Sequence, residues 1–301
     1  MTSEHIHAWI ETLRPKTLPL AISAMLVGSA LGQFYGQFSW SIMLLAILTA
    51  TFLQIISNLA NDYGDAEKGT DNEARLGPIR GMQQGLISLS QMKLAIGFCI
   101  LCTIISGASL LYIACQVASD IWVFLGLGIF SILAALGYTM GKKPYGYLGL
   151  GDLAVLIFFG WVAVIGSFYL QSLDFDAWMF VPATGTGLFA ILVLNINNLR
   201  DIENDKASGK HTLVTRIGAK NGRYYHLFLL FGALCCYALS ALFIEKTWSG
   251  WLFIFTLPLC IKHARTMMKT TRGEQVRPLL GEAVKCALLS NLLFAVGLLL
   301  S

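Results

Sequence analysis

The sequence predicts an all-α integral membrane protein of nine transmembrane helices, with its N-terminus on the cytoplasmic side. Three observations lead there. Apolar runs of about 20 residues, the length that crosses a ~30 Å hydrocarbon core, recur along the whole chain. Charged residues make up 13% of the 301 positions, against roughly 25% in soluble proteins. Of the 21 Lys and Arg residues, all but Lys246 fall in segments that nine crossings place on one side, the asymmetry of cytoplasmic loops.

The runs cover residues 18–37, 40–60, 92–115, 121–140, 152–171, 177–198, 224–244, 248–268 and 283–300. The first follows Arg14 and Lys16, but it exceeds a signal-peptide core and no small-residue cleavage site follows it, so it reads as a retained helix. Gly28, Gly32 and Gly36 form a small-residue stripe on that helix, suited to close helix packing. Pro19, Pro182 and Pro258 lie within or at the ends of runs and are expected to kink them. Cys99 and Cys102 have the spacing of a redox or zinc pair, yet they sit mid-run without nearby His or acidic partners and read as small buried hydrophobes. Outer connections, near 37–39, 116–120, 172–176 and 245–247, are short and hold Asp120, Asp174, Asp176 and Glu245 as their acids. Inner ones at 62–91, 199–223 and 269–282 are long, polar and free of low-complexity sequence, which favours a functional role.

One polar pattern occurs twice. Asn58, Asn61, Asp65 and Gly69 are spaced by three, four and four residues, and Asn198, Asp201, Asp205 and Gly209 repeat the spacing 140 residues later. Such steps keep side chains on one helix face. The offset spans four helices, so the chain reads as a single domain, 1–301, in two parallel four-helix pseudo-repeats plus a ninth helix. The halves divide near residue 150, with helices 1–4 in about 1–150 and helices 5–9 in about 151–301. Acids at the edge of a hydrocarbon slab are costly to place and point to function.

Two such stripes meeting at one face would make an oxygen-only site suited to Mg²⁺, which takes one or two carboxylates and completes its shell from water and phosphate. Cations stand ready for the phosphate: Arg75 and Arg80 after the first stripe, Arg200, Lys210 and Arg216 around the second, and Lys142 and Lys143 after helix 4. A metal-bridged diphosphate above an apolar cavity fits an isoprenoid diphosphate. No nucleic-acid partner is read from this charge pattern, and membrane lipid surrounds the helices. Lys262, Arg265, Lys269 and Arg272 read as topology-setting charges.

At these residues the chain resembles the UbiA-type intramembrane aromatic prenyltransferases. Asn61-Asp62-Tyr63-Gly64-Asp65 resembles their first Asp-rich motif, and Asp201-Ile202-Glu203-Asn204-Asp205 their second. Leu13-Arg14-Pro15-Lys16-Thr17, Gly77-Pro78-Ile79-Arg80-Gly81, Tyr138-Thr139, Gly149-Leu150-Gly151-Asp152 and Asn195-Ile196-Asn197-Asn198 extend the likeness to the naphthoate-prenylating branch. The resemblance implies Mg²⁺-dependent transfer of a polyprenyl group from its diphosphate to 1,4-dihydroxy-2-naphthoate, with loss of the carboxyl group as CO₂. It also implies a bacterial inner-membrane location with the active site toward the cytoplasm.

In that reading Asn61, Asp65, Asp201 and Asp205 hold the metal, Arg80, Lys142 and Lys210 bind diphosphate, and Asn58 and Asn198 position it. Asp62 points about 100° from Asn61 and is a third-ligand candidate. The wider family places a third Asp at position 69; here Gly69 stands there, and Asp71 is the displaced candidate. Tyr63, Tyr138 and Tyr145 could shield an allylic cation with their π faces. Two alternatives stay open: another aromatic acceptor such as 4-hydroxybenzoate, and a cation-coupled transporter, for which the outer side offers no polar path.

Overall fold

The computed structural model describes residues 3–72 and 75–301; the Glu245 side chain, read above as an outer acid, lies outside its described part. Among the described residues every regular element is helical. In chain order these are α1 (Ser3–Leu13), α2 (Leu18–Phe34), α3 (Trp40–Glu67), α4 (Leu89–Ala114) and α5 (Ala118–Gly137). They continue with α6 (Gly151–Ser172), α7 (Ala177–Arg200), the short α8 (Ile202–Ala207), α9 (Leu213–Ile244), α10 (Leu257–Lys269) and α11 (Leu279–Leu299).

Among the described residues seven helices are long and apolar enough to cross a membrane, or eight if α1 and α2, bent by 42°, make one span. The run at 248–268 is where nine falls short. Ser249–Thr256 winds as a 3-10 helix before α10 begins, so neither piece is long enough alone. Elsewhere helices outrun their apolar stretches: α3 continues seven residues past 60, to Glu67, and α9 begins at Leu213. Apolar content marks the slab, whereas the helix goes on wherever backbone hydrogen bonds and a cap permit.

Gly28 and Gly32 let α2 lie against α6. A Cβ on Gly28 would meet Ser167 Oγ at 1.9 Å, and one on Gly32 would meet Gln171 Cβ at 2.5 Å. Gly36 instead turns the chain beyond α2, at φ +81. The three prolines stand at helix starts and not in helix interiors. Pro19 and Pro258 each occupy the first turn of a helix and Pro182 follows the 3-10 turn that opens α7, where a missing N–H costs little.

Fully buried Phe168, Phe189, Tyr237 and Phe294 anchor the main core. Tyr237 stacks on Phe294 with centroids 4.1 Å apart and donates its hydroxyl to Asn291 at 2.6 Å. Asn291 in turn donates to Ser23 Oγ at 2.9 Å, tying α9 and α11 to α2. Between α2–α5 on one side and α6–α7 on the other lies a cavity of about 420 Å³, walled mostly by apolar side chains.

Candidate functional site

The polar stripe begins where the cavity ends. Because α3 runs unbroken to Glu67, Asn58, Asn61 and Asp65 stay on one face, and both asparagines line the cavity. The second stripe is built differently. α7 stops at Arg200 and α8 restarts at Ile202, with Asp201 at the junction (φ −99, ψ 13).

Their ends nevertheless match through the glycine and the residue after it. Gly69 and Gly209 both take φ +70, a left-handed conformation that glycine adopts without strain. The amide of Gly69 donates to Ala66 and that of Gly209 to Lys206, both at 3.2 Å. Thr70 then donates to the Asp65 carbonyl at 2.9 Å and Lys210 to the Asp205 carbonyl at 2.8 Å. The sequence repeat is a repeat of helix termination.

The two ends converge. Lys210 Nζ stands 3.8 Å from Asp65 and 4.0 Å from Asp205, bridging acids of both stripes. Asp65 accepts the Tyr147 hydroxyl at 2.9 Å and faces Arg80 at 3.6 Å. Asn204 donates to the Thr70 carbonyl at 2.9 Å, and Thr70 meets the Tyr147 hydroxyl at 2.6 Å. Asp62 lies between Arg14 and Arg80, so it holds cations in place on the flank of the stripe. Asp71 faces Arg80 at 3.1 Å and Arg75 at 3.3 Å; Arg75 also approaches Asp201 at 3.8 Å. Asp201 is chelated by its own neighbour, Arg200, with the Nε contact at 3.0 Å.

The burial of so many charges shows in their titration. Burial pushes the Asp205 carboxyl up to about 6 against the pull of Lys210, and Asp201 and Asp65 add to the rise. Burial also raises Asp71, opposed by Arg80 and Arg75. Burial and the Arg80 charge lower Arg75 to about 10. Arg80 is buried too, but Asp62, Asp71 and Asp65 outweigh that and hold it charged. Acids raised by burial and by one another mark a place where an added cation is favoured.

The donor set fits a hard divalent ion of the kind that leaves part of its shell to substrate. All candidate ligands offer oxygen, and both Asp71 oxygens are buried without a well-formed hydrogen bond. Among the described residues no three acidic, His or Cys side chains converge as a complete metal cage.

Tyr138 and Tyr145 line the cavity edge to face, with centroids 5.4 Å apart. Asn198 is buried on α7, while its neighbour Asn197 lines the cavity. Two expectations change. Lys142 is exposed, next to Gly141 at φ +87, and makes no ion pair among the described contacts; the inner position goes to Lys68, which donates to the Thr139 and Gly141 carbonyls at 3.0 Å each. Tyr63 is buried in a side cluster with Ile56 and Met92, under the Lys93 ammonium, outside the cavity wall. Tyr147 and Arg14 join the acidic site through the fold alone, since nothing in their sequence neighbourhood shows that they reach Asp65 and Asp62.

The model of the UbiA prenyltransferase family matches residues 21–292. The 1,4-dihydroxy-2-naphthoate octaprenyltransferase of Escherichia coli (strain K12) is 51% identical, over 100% of this chain and 99% of its own length. The enzyme of the same name from Haemophilus influenzae is 46% identical, over 100% and 98%. In fold, the chain resembles a UbiA homolog from Aeropyrum pernix K1 (TM-score 0.71, 15% identity, 93% of this chain and 97% of that one). It also resembles a UbiA homolog from Archaeoglobus fulgidus bound to GPP and Mg²⁺ (TM-score 0.58, 15% identity, 96% and 100%).

Proposed function

This chain belongs to the UbiA prenyltransferase family, and from that premise we propose that it transfers a polyprenyl group from polyprenyl diphosphate to 1,4-dihydroxy-2-naphthoate. The observation that carries the acceptor and the reaction is the 51% identity, from end to end, to an enzyme of that name. The convergence of both acidic stripes at the mouth of an apolar cavity supports it independently.

In the reaction the allylic C–O bond breaks, and its electron pair leaves with diphosphate. The ring carbon that carries the carboxylate bonds to the allylic carbon. The carboxylate then departs as CO₂, and its bonding pair restores the aromatic ring, so no oxidant or external base is needed. Asn61 and Asp65, facing Asp201 and Asp205, would hold two Mg²⁺ ions, with Asp62 and Asp71 as further candidates. When bound, the ions would neutralise the diphosphate and so make it a better leaving group. Arg80 and Lys210 already face the acids and can turn donors toward phosphate oxygens, while Asn58 and Asn198 position the groups around them. The apolar cavity excludes water that would trap an allylic cation, and the faces of Tyr138 and Tyr145 stabilise positive charge at its throat.

The wider frame is a nine-span protein of a bacterial inner membrane, N-terminus inside, with this site on the cytoplasmic face. Its ninth crossing would be Ser249–Thr256 continued by α10. Cysteine at Asp174 should label from outside intact cells, and cysteine at Lys206 only after permeabilisation; the reverse would overturn that orientation. For the reaction, purified protein is incubated with Mg²⁺, farnesyl diphosphate and dihydroxynaphthoate, and product mass and CO₂ are followed. Prenylated product with matching CO₂ is expected. Its absence, or prenylation of 4-hydroxybenzoate alone, would refute the proposed acceptor.

A further inference from the structure

Gln54 lies one helical turn before Asn58 on α3 and lines the cavity. The hydrogen bonds around it fix which end of its amide is which. The Leu13 carbonyl can only accept, so Asn58 must present Nδ2 to it, at 3.0 Å. Asn58 therefore turns Oδ1 to its other side, and that atom too can only accept. Gln54 must then present Nε2 to it, at 3.1 Å. The remaining atom, Gln54 Oε1, is buried without a hydrogen-bond partner. Such an oxygen carries the full penalty of desolvation unless something donates to it. On the same helix, the Thr49 and Thr51 hydroxyls already donate to the Leu45 and Ile47 carbonyls at 2.8 and 2.7 Å.

The proposed reaction brings few donors to this place. A prenyl tail has none, an ionised diphosphate only accepts, and so does the naphthoate carboxylate. The two ring hydroxyls are the O–H groups that remain. Gln54 is seven residues from Asn61, about 10 Å along the helix, a span that a two-ring acceptor can bridge.

We propose that Gln54 Oε1 accepts a hydrogen bond from a ring hydroxyl of dihydroxynaphthoate and thereby sets the preference for a hydroxylated aromatic acceptor. The inference rests on the function proposed above. Accepting that hydrogen bond also pushes electron density into the ring, which favours attack on the allylic carbon.

The test uses full-length purified protein with Mg²⁺ and farnesyl diphosphate, comparing wild type with Gln54→Leu and Gln54→Met. 1-Hydroxy-2-naphthoate and 4-hydroxy-2-naphthoate, each lacking one hydroxyl, serve as competing ligands. Wild type should bind one of them at least roughly tenfold more weakly than dihydroxynaphthoate, the size of one hydrogen bond's discrimination. Both variants should lose that discrimination and raise KM for dihydroxynaphthoate, with KM for farnesyl diphosphate unchanged. The unchanged value doubles as evidence that a variant is folded, and either variant alone suffices. Equal discrimination in wild type and variant, or a parallel rise in both KM values, would overturn the Gln54 assignment. Failure of wild type to prenylate dihydroxynaphthoate at all would instead remove the function on which it rests.

Discussion

In the first half of the molecule, α5 has none of its apolar stretch buried within the protein; in the second half, 72% of the apolar stretch of α7 is buried. Close packing fills the second half: Phe189, Tyr237 and Phe294 meet there, and His226 and His263 form a buried pair with Nε2 atoms 2.9 Å apart, flanked by Asn195 and Glu282. The cavity belongs mainly to the first half, whose α3, α4 and α5 turn small and aliphatic residues toward it. The two stripes at the rim share the same spacing and the same glycine cap. What differs is the supply of cations. Asp201 has its neighbour Arg200 beside it and one cation from elsewhere, Arg75, whereas Asp62 and Asp65 draw Arg14, Arg80 and Lys210 all from other segments. The same local motif thus ends two helices at one rim, although one half of the chain walls a cavity and the other is packed.

The largest expected effect tests whether the stripes are equal partners. Asp65→Ala and Asp201→Ala should each lower turnover by at least about a hundredfold, in line with roughly 2.7–4 kcal/mol for a single group that stabilises developing negative charge. Near-full activity in either variant would break the equivalence. Next, Arg80→Ala and Lys210→Ala should weaken prenyl diphosphate more than naphthoate, by roughly 1.5–3 kcal/mol for each lost charge-assisted hydrogen bond. Steady-state KM values for the two substrates read this directly. Arg80→Lys should recover only part of the loss, because an ammonium lacks the planar fork.

A smaller and purely structural effect should be symmetric. Gly69→Ala and Gly209→Ala meet no atom within 4 Å of the new Cβ, so each bears only the left-handed backbone strain. Each should cost about 1–2 kcal/mol in thermal or denaturant unfolding. Unequal values would show that the two caps are not equivalent. Smallest of all is Lys142→Ala: an exposed lysine without an ion pair among the described contacts should change either KM by less than about 0.5 kcal/mol.

Much of this arrangement can be read from the chain. The apolar runs anticipate the long helices because the demands of a bilayer are written in composition, and the repeated stripe locates the site because helical spacing needs only local sequence. The 3-10 winding of Ser249–Thr256 was not legible, since an apolar run does not reveal its winding. Nor was the contrast between Lys142 and Lys68, which depends on the turn at Gly141 and on carbonyls brought near by packing. Tyr147 and Arg14 reach the acids only through tertiary structure; both are far in sequence from the residues they hold. Sequence periodicity reveals faces, and contacts between distant segments need the fold.

Binding of farnesyl diphosphate to purified wild type, Asp65→Ala, Asp201→Ala and the double variant, with Mg²⁺ and with EDTA, tests most directly whether the stripes form a single metal-diphosphate site. A shared site predicts one ligand per chain, lost in EDTA and lost in either single variant, with the double variant no worse than the singles because residues acting as one unit are not additive. Binding that persists in EDTA, or single variants that each keep half of the sites while the double keeps none, would contradict it.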